Sequence, residues 1–371
     1  MASNTHLVLE NQLEEGACHE TDFGASGVLK SRLWRIAEER CIPLGATIEI
    51  TLRCNLRCTH CYNFDRSVPY PKTLKAAELT PNEILSAIDQ LAEAGCLYLS
   101  FSGGEALLHP HLDYFIRHAR KRRMAVKVKS NGTLLTVQRV EKLVEAGALG
   151  VDISLYGATA ETHDAFTERS GSFVQTIAGM ENAQNAGLDV KVNICLVRSN
   201  VAEVADMIAL VEGYGFPYGM TPFITARYDG TVSSLDHQIE QKTLETLYRG
   251  PLKGFVRQPD YSPNKSVQCM CARATCGISA TGDVYPCIGA PVVSGNLRQQ
   301  SFAEIWQHSP QLNEIRNLKL DDFITCKTCS DRPYCGRSSG VAYTNTGNYT
   351  GPEPFTCREA AIVRKIHLEE I

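Results

Sequence analysis

From Thr47 to about residue 225 the chain alternates between two hydrophobic periods at regular spacing, and this alternation restricts its fold more than any other feature. Six runs read as strands: "TIEITLRC" (47–54), "CLYLSFSGG" (96–104), "AVKVKSNG" (125–132), "GVDISLYG" (150–157), "DVKVNICLV" (189–197) and "YGMTPFIT" (218–225). Between them, Pro81–Gly95, His109–Arg123, Thr136–Gly147, Ser172–Gly187 and Val201–Gly215 carry apolar residues at helical spacing, most of them ending on a glycine suited to an αL cap. Such alternation predicts right-handed βαβ units and a parallel sheet. The expected fold is α/β, a partial (β/α)6 TIM-like barrel over 44–225, although periodicity alone leaves an open doubly wound sheet as the alternative. Residues 1–43 read as an N-terminal arm, polar and without period over the first 28. Residues 226–265 read as a connecting segment with one helical piece, Leu235–Leu252, and 266–371 as a loop-rich domain. So little periodicity in that last region predicts a small core that something else, such as metal, must staple.

The 371 residues are 43% hydrophobic, enough for a barrel and a smaller module, and the net charge of −4 favours neither a nucleic acid nor a membrane surface. The run Arg120-Lys121-Arg122-Arg123 fits a helix end, where cations suit the dipole. No basic n-region with an apolar stretch opens the chain, and no run of 18 apolar residues occurs. The expectation is a cytoplasmic protein. Fifteen cysteines are then unusual, because disulfides do not persist in a reducing compartment. Three lie at 54–61, four at 269–287 and four at 326–357, leaving Cys18, Cys41, Cys96 and Cys195 scattered. Cys96 and Cys195, in apolar strand-like runs, read as small buried hydrophobes.

Cys54, Cys58 and Cys61 directly follow the first strand, at the end where barrel loops build an active face. Three close thiolates without a fourth nearby suit three irons of a [4Fe–4S] cube and leave one iron open; a zinc knuckle borrowing a remote ligand is the other reading. "SFSGGEALLHP" ends the second strand. There Gly103 and Gly104 permit close backbone approach, and Glu105 offers a carboxylate to an ammonium group.

"CNLRCTHCY" followed by "FSGGEALLHP" resembles the radical S-adenosylmethionine (SAM) superfamily, over roughly residues 44–225. The resemblance implies that Cys54, Cys58 and Cys61 ligate a [4Fe–4S] cluster whose open iron takes the amine and carboxylate of SAM. It implies that Gly103, Gly104 and Glu105 receive the SAM amine, that His60 and Tyr62 lie near the adenine, and that Ser130, Asn131 and Ser154 contact the ribose or methionine moiety. Arg169 would pair with the SAM carboxylate or sit in a surface loop, and His163 and Asp164 fit helix-start capping.

The C-terminal pattern has Cys269, Cys271, Cys276 and Cys287 around "GDVYPC", then "GNLRQQSFAEIW", "CKTCSDRPYC" and Cys357. It is similar to the SPASM extension of that superfamily, which carries two auxiliary [4Fe–4S] clusters. The likeness implies that Cys326, Cys329, Cys335 and Cys357 hold the second auxiliary cluster. The family usually adds a cysteine shortly after the third of these, to ligate the first auxiliary cluster; here the stretch is "CGRSSG", with Ser338 and Ser339. The thiol count then predicts Cys269, Cys271, Cys276 and Cys287 as the first auxiliary set. Alternatively one of the first pair is spare and that cluster keeps an open or oxygen-ligated iron; zinc ribbons are a further reading.

The stretch looks most like mycofactocin-type and quinone-cofactor peptide maturases. The implied function is reductive cleavage of SAM to a 5′-deoxyadenosyl radical, then hydrogen abstraction from a ribosomally made peptide or protein for crosslinking, oxidation or epimerisation. The alternatives are a radical SAM enzyme acting on a small molecule, and an electron-transfer or cluster-carrier protein. Implied cofactors are SAM and three [4Fe–4S] clusters; implied partners are a flavodoxin- or ferredoxin-type electron donor and, with only about 44 residues before the barrel, a separate leader-binding protein, the alternative being that the barrel binds the peptide directly. No residue identifies itself as catalytic, and Tyr228, Asp229 and Asp283 are candidates by location alone.

Overall fold

The computed structural model describes residues 27–69, 72–261 and 269–369. The first 26 residues of the expected arm lie outside them. Gly27–Arg40, also assigned to that arm, forms a helix that buries Trp34 and Ala37 against Leu44 and Ala274.

All six expected strands form: β1 (Gly45–Thr51), β2 (Tyr98–Gly103), β3 (Ala125–Ser130), β4 (Gly150–Leu155), β5 (Asp189–Cys195) and β6 (Tyr218–Thr221). Each pairs in parallel with the next. The sheet does not stop at six. β7 (Thr275–Ile278) pairs in parallel with the free edge of β1, and β8 (Val284–Tyr285) pairs antiparallel to β7. The order β6-β5-β4-β3-β2-β1-β7-β8 leaves β6 and β8 at the edges, so the barrel is unclosed.

Register explains the polarity of the strands. Ile48, Phe101, Val128, Val151 and Val190 lie side by side across β1 to β5 and are buried under the helices. Each such side chain contributes roughly 1.5–3 kcal/mol by leaving water. The neighbouring row pairs Glu49 with Ser102, and Lys129 with Asp152 and Lys191. A parallel sheet with apolar cover on both faces reads as continuous hydrophobic runs. The alternation here therefore marks an inner face that looks into a polar barrel interior.

The helices fall where their caps direct. Thr80 and Glu83 form a capping box with Pro81 at the first turn of Pro81–Glu93, and Gly147 closes Val137–Ala146 in the left-handed region at φ 90°. Glu83 also binds Arg298 (Nε–Oε1 2.6 Å), tying the barrel to the C-terminal region. That region has more core than its periodicity suggested. A second capping box, Ser301 with Glu304, starts Phe302–His308, and Pro354–Glu369 is the longest of its helices. Phe302, Trp306, Leu312, Phe355, Ile362 and Ile366 join the same apolar core as the barrel.

At the end of β2 two glycines are sterically required. Gly103 has φ 133°, and a Cβ there would sit 2.0 Å from the Thr51 carbonyl oxygen; at Gly104 it would sit 2.3 Å from that of Arg53. The close approach lets Gly104 N–H donate to Thr51 O and Glu105 N–H to Arg53 O, each at 2.8 Å. Gly104→Ala is expected to cost about 3 kcal/mol or more, since only backbone could move. Denaturant unfolding checks this; a loss below about 1 kcal/mol would show that the two strand ends can separate cheaply.

Candidate active site

The loop after β1 carries the first three cysteines and is held from both sides. Arg57 N–H donates to Thr167 O (3.0 Å) and Thr59 N–H to Phe166 O (3.4 Å), so helix Ala160–Thr167, absent from the sequence reading, buttresses it. Cys61 N–H donates to Cys58 O (3.2 Å). The sulfurs accept N–H groups: Cys54 Sγ from Leu56 N (3.4 Å) and from Asn131 Nδ2 (3.9 Å), and Cys61 Sγ from Arg66 Nε (3.1 Å). Arg66 also donates to Leu52 O (2.7 Å) and lies over the Phe64 ring. Burial pushes Cys54 up to about 11, and burial with its two thiol neighbours raises Cys58 further. These thiols stay protonated until a cation displaces the protons, and the N–H donors then stabilise the thiolates. Among the described residues, no three Cys, His, Asp or Glu side chains converge as a single metal ion requires. A cubane takes one thiolate per iron, so it needs no such convergence. The donor set fits an iron–sulfur cluster with one iron left without a cysteine.

Glu105 is already engaged within the chain. Buried at 1% exposure, it accepts Leu107 N–H (3.0 Å), Ser130 O–H (2.9 Å) and Asn131 N–H (2.8 Å). Its burial raises the carboxyl, and these three donors lower it. Asn131 Nδ2 reaches Asn55 Oδ1 (2.9 Å) as well as Cys54. Glu105, Ser130 and Asn131 thus form one network that fixes the thiol loop relative to the ends of β2 and β3. The Gly103–Gly104 backbone lies directly beside this network. Arg169 Nη1 donates to Asn55 O (3.4 Å), which places the guanidinium beside the same loop. Asp164 caps helix Ser172–Asn185 by accepting from Gly171 N, Phe173 N and Ser172 Oγ, and His163 accepts Tyr156 N–H, so both are structural.

His60 and Tyr62 point to different places. His60 packs between Tyr156 and Phe166, with Nδ1 buried and without a hydrogen-bond partner; burial lowers it to about 3, so it is neutral. Tyr62 turns inward: its hydroxyl donates to Glu49 (3.1 Å), and its ring meets Tyr228 edge-on at 5.1 Å. Ser154 lies on the inner face of β4 and hydrogen-bonds Tyr156. Buried Ser100 Oγ and Asp152 Oδ1, on the same sheet face as Glu49, also lack partners in the chain. Such orphaned atoms mark where a bound molecule would supply hydrogen bonds. Of the three candidates chosen by location, Asp229 and Asp283 serve turns, with Thr231 and with Ser279, Thr281 and Asn296 respectively; only Tyr228 reaches the interior. Sequence reading missed Glu49, Asn55 and Arg66. Glu49 had a signal, as the one charge within the strand "TIEIT".

Cys326, Cys329, Cys335 and Cys357 come together: Cys357 interacts electrostatically with Cys326 and Cys329, and Cys335 with Cys357 and Cys326. Arg337, 6% exposed, hydrogen-bonds Cys326 and also feels Cys335 and Cys269. Cys269 and Cys271 have sulfurs 2.8 Å apart, and Ala272 N–H donates to Pro286 O (2.9 Å), next to Cys287. Cys276 lies on β7 in the apolar core, within the field of Cys96 and, less strongly, of Cys287.

Family models match residues 48–211 as the radical SAM superfamily and 269–330 as the SPASM iron–sulfur cluster-binding domain. The chain is similar to an AdoMet-dependent heme synthase of Methanosarcina barkeri (29% identical; 83% of this chain, 94% of that one). It is also similar to a mycofactocin maturase of Mycobacterium ulcerans (27%; 84% and 87%) and a PqqA peptide cyclase of Methylocella silvestris (28%; 84% and 87%). The fold matches Streptococcus suis SuiB, solved with the precursor peptide SuiA, at TM-score 0.62 and 14% identity, covering 88% of this chain and 80% of that one.

Glu49 supplies a pH test of the inner face. Burial raises its carboxyl from 4.5 to about 7, against the smaller opposing effects of Tyr62 and Arg66. The folded protein keeps this proton while the unfolded chain loses it, so the group costs stability as pH rises from 4.5 to 7, reaching about 3 kcal/mol above that window. Glu49→Gln is expected to gain stability over wild type progressively across that range; a pH-independent difference would show that Glu49 is solvated.

Proposed function

This chain belongs to the radical SAM superfamily, carries a SPASM iron–sulfur domain and is an enzyme of that type, and on this premise we propose that it modifies a ribosomally made peptide or protein. SAM and a reduced [4Fe–4S] cluster, when bound, would supply the radical chemistry that removes hydrogen from the substrate. The chain's own residues do the positioning. Cys54, Cys58 and Cys61 would hold the cluster, and the N–H donors of Leu56, Asn131 and Arg66 would stabilise their thiolates. The Gly103–Gly104 backbone would meet the amine of SAM, with Arg169 at hand for its carboxylate. Ser130, Asn131 and Glu105 would keep the loop in register beside the SAM amine. Cys326, Cys329, Cys335 and Cys357 would hold one auxiliary cluster and the cysteines around Cys287 another.

We assign the radical chemistry to 44–225 and the auxiliary clusters to 266–371, joined by 226–265. A flavodoxin- or ferredoxin-type protein would deliver the electron, and a separate protein would present the peptide leader. No helix among the described residues is long and apolar enough to cross a membrane; the compartment we propose is a reducing cytoplasm, where clustered thiols stay available to iron.

The observation that carries the peptide reading is the similarity, over 84% of this chain, to a peptide cyclase and to a mycofactocin maturase. A second reading, a small-molecule substrate, rests on the similarity to a heme synthase over 94% of that protein. The discriminating experiment incubates reduced protein anaerobically with SAM and a deuterated short peptide encoded beside its gene. The expected outcome is 5′-deoxyadenosine carrying deuterium from the peptide, abolished in Cys58→Ala. Deuterium transfer from a tetrapyrrole precursor and none from the peptide would replace this reading with the second one.

A further inference from the structure

The sequence offers four thiols between 269 and 287, enough for a fully cysteine-ligated cluster, yet the fold separates one of them from the rest. Parallel pairing with β1 sets Ala46 opposite Cys276, Thr47 opposite Gly277 and Ile48 opposite Ile278. Ala46, Ile48, Cys276 and Ile278 all belong to the apolar core beneath the helices. Side chains alternate along a strand, so Gly277 faces inward. A Cβ at Gly277 would meet Ile288 N at 2.7 Å and the Cys287 carbonyl carbon at 3.0 Å, so the Cys287–Ile288 segment crosses the inner face of β7. Cys276 and Cys287 therefore lie on opposite faces of one strand. The Cys276 sulfur, 2% exposed, interacts more strongly with Cys96 than with Cys287.

The other three thiols share a side. Cys271 runs into Ala272, whose N–H is bound to Pro286 O beside Cys287, and Cys269 lies against Cys271 and within the field of Arg337. The segment that lacks the family's extra cysteine packs here too: a Cβ at Gly340 would meet Gly289 O at 2.5 Å and Ala290 Cβ at 2.9 Å. Ser339, fully buried beside it, has its oxygen taken by the Arg337 guanidinium at 2.6 Å. On the inner side, Cys287 interacts with Lys129 and Tyr228, both lining the barrel interior.

We propose that Cys269, Cys271 and Cys287 alone ligate the first auxiliary cluster, that Cys276 is a core residue, and that the remaining iron faces the barrel interior as a binding position for an anionic donor atom of the substrate. This deepens the functional reading above and rests on it. Lys129 and Lys191 flank Asp152 across β4, so two cations against one carboxylate leave net positive charge on that part of the face.

The test uses the full-length chain with Cys54, Cys58 and Cys61 all replaced by alanine, so that only auxiliary clusters remain, and adds Cys276→Ala or the apolar near-isostere Cys276→Val. Both additions are expected to keep the iron and sulfide content and the reduced-state EPR spectrum of the parent. Adding Cys269→Ala, Cys271→Ala or Cys287→Ala is expected to lose one cluster. Cyanide, as the probe anion, is expected to shift the EPR signal of one cluster in the parent. Loss of a cluster with both Cys276 variants would overturn the assignment, as would full cluster content after losing Cys269 or Cys271, or a spectrum indifferent to cyanide. Zinc in place of iron in the parent would overturn the functional reading itself, which is a separable result.

Discussion

Three strand ends are held together by one buried carboxylate. Glu105 takes donors from its own turn and from the end of β3, while the backbone beside it is bonded to the end of β1. A buried carboxylate left unpaired would be costly, so this network is an all-or-none arrangement. It holds one side of the thiol loop, whose other side is bonded to helix Ala160–Thr167. The loop begins two residues after β1, and its first sulfur is reached by the same Asn131 whose N–H binds Glu105. The two glycines before Glu105 let the strands come near enough for the network to close.

The same sheet separates two environments by alternation alone. One row of side chains, Ile48 to Val190, supplies the apolar burial that stabilises the barrel. The adjacent row, Glu49 to Lys191, gives up that burial for a polar interior. Lys129 is held below its usual range by desolvation, partly offset by Asp152, and Glu49 is held above its own. Such displaced groups on one face are the usual signature of a site that binds or transforms something. Tyr62 joins the two regions: it follows Cys61 directly, donates to Glu49 and packs against Tyr228, whose hydroxyl meets Ile288 O beside Cys287. The loop of the first cysteine group and that of the C-terminal group thus face one another across a few aromatic rings.

Much of this was legible in the chain. Cys54, Cys58 and Cys61 announce themselves by spacing, and "IEI" and "KVK" announce a two-faced sheet. What was not legible depended on long-range pairing. "TCGISATGDVY" is too short and glycine-rich to declare a strand, and nothing local says that it adds to β1. The face on which Cys276 lies is set by that pairing, which a count of thiols does not reveal. The partners of Glu105 were likewise hidden: Ser130 and Asn131 are contributed by another strand, and nothing around "GGE" names them. The capping box of "SFAE" was present in the letters, yet its helix was lost among loops because the apolar partners of Phe302 and Trp306 come from the barrel.

The proposed chemistry requires an iron without a cysteine at the mouth of the barrel, where SAM would bind by its amino-acid end. Electron–nuclear double resonance on the dithionite-reduced protein, with SAM labelled magnetically at its amine nitrogen and carboxylate oxygen, examines that contact directly. The account predicts hyperfine coupling from both labelled atoms to the first cluster. A reduced cluster showing no coupling to either atom, with SAM bound at saturation, would contradict it.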